Sequence, residues 1–364
     1  MKKNIYLSAR FINEYLLVYQ FLFIISLSML DDLIDGVRYV KYIVPIVAML
    51  ASRSLIKFST ICITRITKPY FFLIVLFLFQ SILFPRIDGW KDIYFLCVYI
   101  FPFILFKDGF IGINQILVFK ILLIIFCIKF VILPHNRVSL TESTGIMEGT
   151  EAFIFGVFSL YFIIEKKFRW YALSLVIVFI SMKRIVLFGV LVCSLSVITY
   201  DHVGRFLIGQ LSLFFIGIIL GVVVVLFGMG MFDVYIYEVT GLSANQLAMG
   251  RLNIYSHVIK GIVNNPLILI YGAGVGSSYQ LVGLATSGAD SNLHSDLLKI
   301  IYEGGAGVYS LFIWLLSNSL TGKNKCIILY VILMFVSDNI IIYGQVMFFV
   351  LLLSYSLEYN SSEF

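Results

Sequence analysis

Long apolar runs recur from residue 11 to residue 357, and no other feature limits the fold so strongly. A bilayer crossing takes about 20 apolar residues. Lipid offers no partner to a backbone N–H or C=O, so a run that crosses must be a helix or part of a closed barrel. These runs are continuously apolar rather than alternating, which is the helical pattern and not the barrel one. A globule that is 61% hydrophobic and 13% charged, with 34 Phe and 22 Tyr, would expose far too much apolar surface to water. The chain therefore reads as an all-α polytopic membrane bundle, one integral membrane domain over residues 1–364.

Basic loops mark the cytoplasmic side. Lys2, Lys3 and Arg10 place the N-terminus inside, and Arg53, Lys57, Arg65 and Lys68 place the second turn-around there too. Stepping through the later loops gives about twelve spans with the C-terminus also cytoplasmic. Two long polar segments, 134–152 and 229–298, then fall on the opposite face, the second between spans nine and ten. Ser181, Met182, Lys183 and Arg184 split residues 170–200 into two spans and lie on that same outer face. The first apolar run lacks a small-residue cleavage site and reads as a retained span. The net charge of +6 is spread over short loops, unlike the one-sided basic face of a nucleic-acid binder. The five cysteines, at 62, 97, 127, 193 and 326, lack CxxC or zinc spacing and read as packing residues. No internal repeat is evident, which counts against a transporter of inverted repeats.

Polar chemistry gathers at a few outer positions. In SNLHSDLLKIIYEGG, Ser291 suits a helix N-cap and places His294 in the first turn. There the helix dipole disfavours imidazolium, so the ring stays neutral and able to accept a proton; a His that merely lines the interface would show the same pattern. Asp296, Lys299 and Glu303 have the spacing of an ion-pair ladder, although Glu303 sits where the helix turns apolar, and acids there are costly. Arg251 opens a helical pattern whose Leu252, Tyr255, Val258 and Ile259 share a face, and Pro266 ends it. Gly272, Gly274 and Gly276 form a loop that could approach a ligand closely, without the GK[ST] of a P-loop. Lys183 and Arg184 suit either an interfacial anchor or an anion clamp. His135, Arg137 and Glu142 lie in the other outer loop.

These pieces, in this order, resemble the Wzy-type O-antigen polymerases and the related ligases. The matching residues are Ser181 to Arg184, Gly250-Arg251, NPLILIYGAG at 265–274, His294-Ser295, Glu303-Gly304 and Gly307, over about 130 residues. The stretch between Pro266-Leu267 and Gly272 is longer than that family's pattern, and Lys183 stands where a small residue is usual. The resemblance implies a GT-C-like inverting glycosyltransferase in the bacterial inner membrane. It would join undecaprenyl-diphosphate-linked repeat units at the periplasmic face without a metal, with a chain-length regulator as a further partner. His294 would be the base and Arg251 would stabilise the leaving diphosphate. Glu303 would orient an arginine or His294. Arg184, Lys183, Arg137, Gly272, Gly274 and Tyr255 would line the substrate site. A ligase that moves finished glycan to lipid A core would use the same motifs. A lipid-linked-glycan flippase is the alternative of another class, with Lys120 and Lys129 inside span five as its support.

Overall fold

The structure, a computed structural model, describes residues 18–26, 43–47, 63–105, 113–132, 150–248, 250–286 and 292–362. Among these residues all regular structure is helical and there is no strand. The principal helices are α1 (Lys68–Leu83), α2 (Ile87–Leu105), α3 (Gln115–Ile132), α4 (Glu151–Ile164), α5 (Phe168–Ile180), α6 (Arg184–Ile198) and α7 (Gln210–Gly228). They continue with α8 (Arg251–Asn264), α9 (Ser277–Ala285), α10 (Asp296–Gly304), α11 (Ala306–Ser317), α12 (Cys326–Phe335) and α13 (Gly344–Ser362).

Burial sorts these helices into a centre and a shell. Every residue of α4 and of α12 is buried, as expected for helices that are apolar on all sides. α4 packs against α5, α6 and α13, and α12 packs against α6. The shell is just as apolar on its outward face: Phe188, Leu191, Leu195 and Ile198 of α6 and Phe215, Ile219 and Val222 of α7 are all exposed. Only 28% of the apolar window of α7 is buried. Its 19 residues span about 28 Å at 1.5 Å per residue. By length and composition it is the one described helix long and apolar enough to cross a bilayer, and α6 with Tyr200–Leu207 forms a second candidate bent by 90°. The count of twelve crossings is finer than these helices carry.

Small residues let α7 approach α11. A Cβ on Gly217 would lie 2.5 Å from Ile313, and one on Gly221 would lie 2.5 Å from the Tyr309 hydroxyl. That hydroxyl donates to the Gly217 carbonyl at 2.5 Å. Gly217 and Gly221 are four apart, the spacing at which two glycines clear one face of an apolar helix for a neighbour. Gly221→Leu should force this contact open and cost about 1–3 kcal/mol, read as a lower melting temperature in detergent; an unchanged melting temperature would show that the helices need no close approach here.

The polar ends of the bundle segregate. At one end Arg65 donates to the backbone and side-chain carbonyls of Asn318. Lys323 reaches the Ile164 carbonyl at 2.9 Å, and Glu358 accepts from Thr321 and Asn324. At the other end Lys183 meets Asp338 and Gln345 donates to Thr150. Each end thus joins segments far apart in the chain. Two expectations change. The described residues of 229–298 are largely helical, with Asp233–Thr240, Ala244–Leu247, α8, Ile268–Tyr271 and α9; α8 packs on α7, and α8, α9 and Ile268–Tyr271 pack on α10. The single helix expected over 300–317 breaks between α10 and α11, where Gly305 takes φ +86°.

Candidate functional site

A pocket of about 490 Å³ opens at the end of the bundle that holds Lys183, within the usual range for a small-molecule site. It is built where four elements start or finish. α6 begins after a break in which Met182 takes φ +54°, and it contributes Arg184, Ile185 and Phe188 just behind Lys183. The last turns of α7 supply Val223, Val224 and Phe227. α8 starts from Gly250 at φ +83°, a left-handed cap natural to glycine, and presents Arg251 and Tyr255. Val336 and Ser337, which follow α12, complete the wall. The result is three cations over an otherwise mostly apolar lining. Lys183, Arg184, Arg251 and Tyr255, drawn from two motifs far apart in the chain, meet here.

The turn after α12 holds these cations. The Ser337 carbonyl accepts from Arg251 Nη1 at 2.6 Å. The Asp338 carboxylate is 2.9 Å from Lys183 Nζ and accepts from the Tyr343 hydroxyl at 2.8 Å. The Lys183 ammonium also sits 4.2 Å from the centre of the Phe153 ring. Burial alone would push the Asp338 carboxyl up, but the Lys183 charge beside it, with help from Tyr343 and Arg251, holds it below the usual carboxylate value. Sequence reasoning passed over Asp338. The available signal was a lone acid, in SDN, between two apolar helices.

His294 is not one of the lining residues. It is half-buried, and its carbonyl accepts from the Tyr255 hydroxyl at 2.8 Å, so it lies behind a residue that does line the pocket. The expected local geometry is corrected. Ser295, not Ser291, caps the helix, its hydroxyl accepting from the Leu298 N–H at 3.4 Å, and Ser291 lies outside the described residues. His294 thus precedes α10 instead of joining its first turn, with its backbone at φ +53°.

The ladder expected along α10 does not form. Lys299 turns instead to Asp92 of α2, at 2.6 Å, with both side chains at most 5% exposed. Tyr279 donates to the other Asp92 oxygen at 2.7 Å, and the ammonium lies 4.3 Å from the centre of its ring. Asp296 accepts from the Ile341 N–H at 2.9 Å. Glu303, expected to orient an arginine or His294, takes the Ser278 hydroxyl at 2.6 Å and its N–H at 3.2 Å. Its buried carboxylate therefore anchors the start of α9. The glycine loop is corrected as well. A Cβ on Gly272 would collide with the Glu303 carbonyl, while Ala273 and Gly274 donate to the Tyr302 and Glu303 carbonyls at 2.8 and 3.1 Å. The close approach of Gly272 and Gly274 is to the protein's own backbone, and neither lines the pocket. Arg137 lies outside the described residues.

Among the described residues no three His, Cys, Asp or Glu side chains gather to hold a metal ion. Lys120 sits on an exposed position of α3, 5.5 Å from the centre of the Trp170 ring. Comparison with protein-family models, with curated proteins and with solved structures yields no match.

Proposed function

We propose that the chain is a membrane-embedded inverting glycosyltransferase that polymerises lipid-diphosphate-linked oligosaccharides on the extracytoplasmic side, in the manner of the O-antigen polymerases its motifs resemble. One observation carries the reading. The pocket combines three cations with apolar walls, and a lipid diphosphate has the complementary parts. The exposed apolar faces of α6 and α7 beside it support membrane insertion, since a water-facing surface of that kind would be an aggregation hazard.

Lys183, Arg184 and Arg251 hold the donor diphosphate, the arginines through forked donors that match its oxygens. The acceptor hydroxyl attacks the anomeric carbon from the face opposite the diphosphate. The new glycosidic bond forms as the bond to the diphosphate oxygen breaks, and the acceptor's proton passes to His294. Negative charge grows on the departing diphosphate, and cations fixed in advance stabilise it. In this reading the charge neutralisation a metal would supply comes from side chains. Tyr255 couples the two halves of the site, because it lines the pocket and its hydroxyl holds the His294 backbone.

The experiment is polymer formation by the purified protein in lipid nanodiscs, given lipid-linked repeat units and no nucleotide sugar. Ladder formation is expected; its absence, with folded protein and authentic substrate, refutes the polymerase. His294→Ala should slow extension by roughly 10²–10⁴-fold and leave diphosphate binding intact. Normal long-chain product from that variant would remove His294 from the mechanism.

A further inference from the structure

The turn that follows α12 touches the segments that carry Arg251, Lys183 and His294. Ser337 holds Arg251, the Asp338 carbonyl accepts the Asp296 N–H at 3.2 Å beside His294, and the Asp338 carboxylate holds Lys183. The two partners of that ion pair differ in access. The Asp338 side chain is 3% exposed, while the Lys183 side chain is 15% exposed and lines the pocket. Asp338 is also fixed from behind, by the Tyr343 hydroxyl at 2.8 Å and the Asn339 N–H at 3.0 Å. An anion entering the pocket therefore meets a lysine that already has a carboxylate.

We propose that Asp338 is a resident counter-anion of the pocket, one that satisfies Lys183 when no diphosphate is bound and competes with the diphosphate for it. The proposal rests on the reading of the pocket as a diphosphate site. Lys183, Arg184 and Arg251 all line the pocket, and Asp338 neutralises the lysine. Without Asp338 the Lys183 ammonium would lose its carboxylate while sharing a mostly apolar pocket with two arginines, and like charges repel. With it the anion is held less tightly, which suits an enzyme whose product is also a lipid diphosphate and must leave each cycle. Asp338 touches no reacting atom in this account; it is a positioning residue that acts through Lys183.

The test is titration of the full-length protein in phosphatidylcholine nanodiscs with farnesyl diphosphate, at fixed ionic strength. Asp338→Asn keeps the shape and an acceptor for Tyr343 but removes the charge. It should bind farnesyl diphosphate about tenfold more tightly than wild type and release it more slowly. A purely structural Asp338 gives the opposite sign, because Lys183 would lose its position. Equal or weaker binding by a variant with normal melting overturns the proposal. Should Asp338→Asn fail to accumulate, Lys183→Gln combined with Asp338→Asn restores the zero net charge of the wild-type pair. That pair should bind within about threefold of wild type, while Lys183→Gln alone binds about tenfold more weakly. A pair as weak as the single lysine variant also overturns it. If wild type itself binds no farnesyl diphosphate, the diphosphate site is refuted and the counter-anion falls with it. Binding by wild type without the expected change in the variants refutes the counter-anion alone.

Discussion

Arg251→Ala is expected to reduce polymer formation in nanodiscs to about 1% of wild type or less. The arginine opens α8, lines the pocket and is steered by the Ser337 carbonyl at 2.6 Å. That hydrogen bond uses one of the five donors of the guanidinium and fixes the plane in which the others fan out. Removing a preorganised donor aimed at developing charge costs roughly 10²–10³ in rate, and here a full positive charge leaves with the donors. Arg251→Lys should recover little, because an ammonium cannot present two parallel donors to a diphosphate. Loss of the Ser337 contact should cost only about 1 kcal/mol of stability, so melting temperature separates a chemical from a structural defect. The farnesyl diphosphate titration serves as a second check, since affinity should fall together with rate. Retention of more than a tenth of wild-type activity by Arg251→Ala would remove Arg251 from the leaving-group site.

How the pocket came to be partly legible follows from what its residues cost. Lys183, Arg184 and Arg251 border long apolar segments, where a cation is expensive and so stands out. Tyr255 was legible through its helical face, because Leu252, Val258 and Ile259 fall in register with it and all four are buried. The helix ends at Ile180, Arg184 and Gly228 follow from polar or glycine interruptions of apolar runs. Partners across the bundle were not legible. Nothing local marks Asp92 as the mate of Lys299, 207 positions away, and the spacing of Lys299 from Asp296 and Glu303 suggested a local ladder instead. Burial decided the matter, since a charge at nearly zero exposure needs one close, well-aligned partner, and the packing of α2 supplied it. The glycine loop misled for a related reason. Glycine signals close approach of the backbone without saying to what, and at Gly272 the neighbour is the Glu303 carbonyl.

Lys299→Met should give the largest loss of stability among single substitutions at the buried charges. Its ammonium pairs with Asp92, which is 1% exposed and, among the described residues, has otherwise only the Tyr279 hydroxyl on its other oxygen. A buried carboxylate stripped of its partner costs about 3–5 kcal/mol, whereas removing both charges together is often nearly neutral. The melting temperature in detergent should therefore fall by roughly 10 °C in Lys299→Met, and recover most of that when Asp92→Asn is added. A double variant no more stable than Lys299→Met would show that the two residues do not act as a pair. The coupling reaches function through α10. Lys299 lies one turn beyond Ser295, whose hydroxyl is bonded to the Phe335 carbonyl at 3.2 Å, and His294 precedes that serine directly. The Asp92–Lys299 pair thus fixes α10 against α2 while Ser295 and Asp296 fix its N-terminus against the turn that carries Asp338. If the pair acts only as this brace, polymer formation should return with the melting temperature in the double variant. If melting recovers and polymer formation does not, the charges themselves take part in the reaction, and the division between a cationic pocket and a bracing core would be wrong.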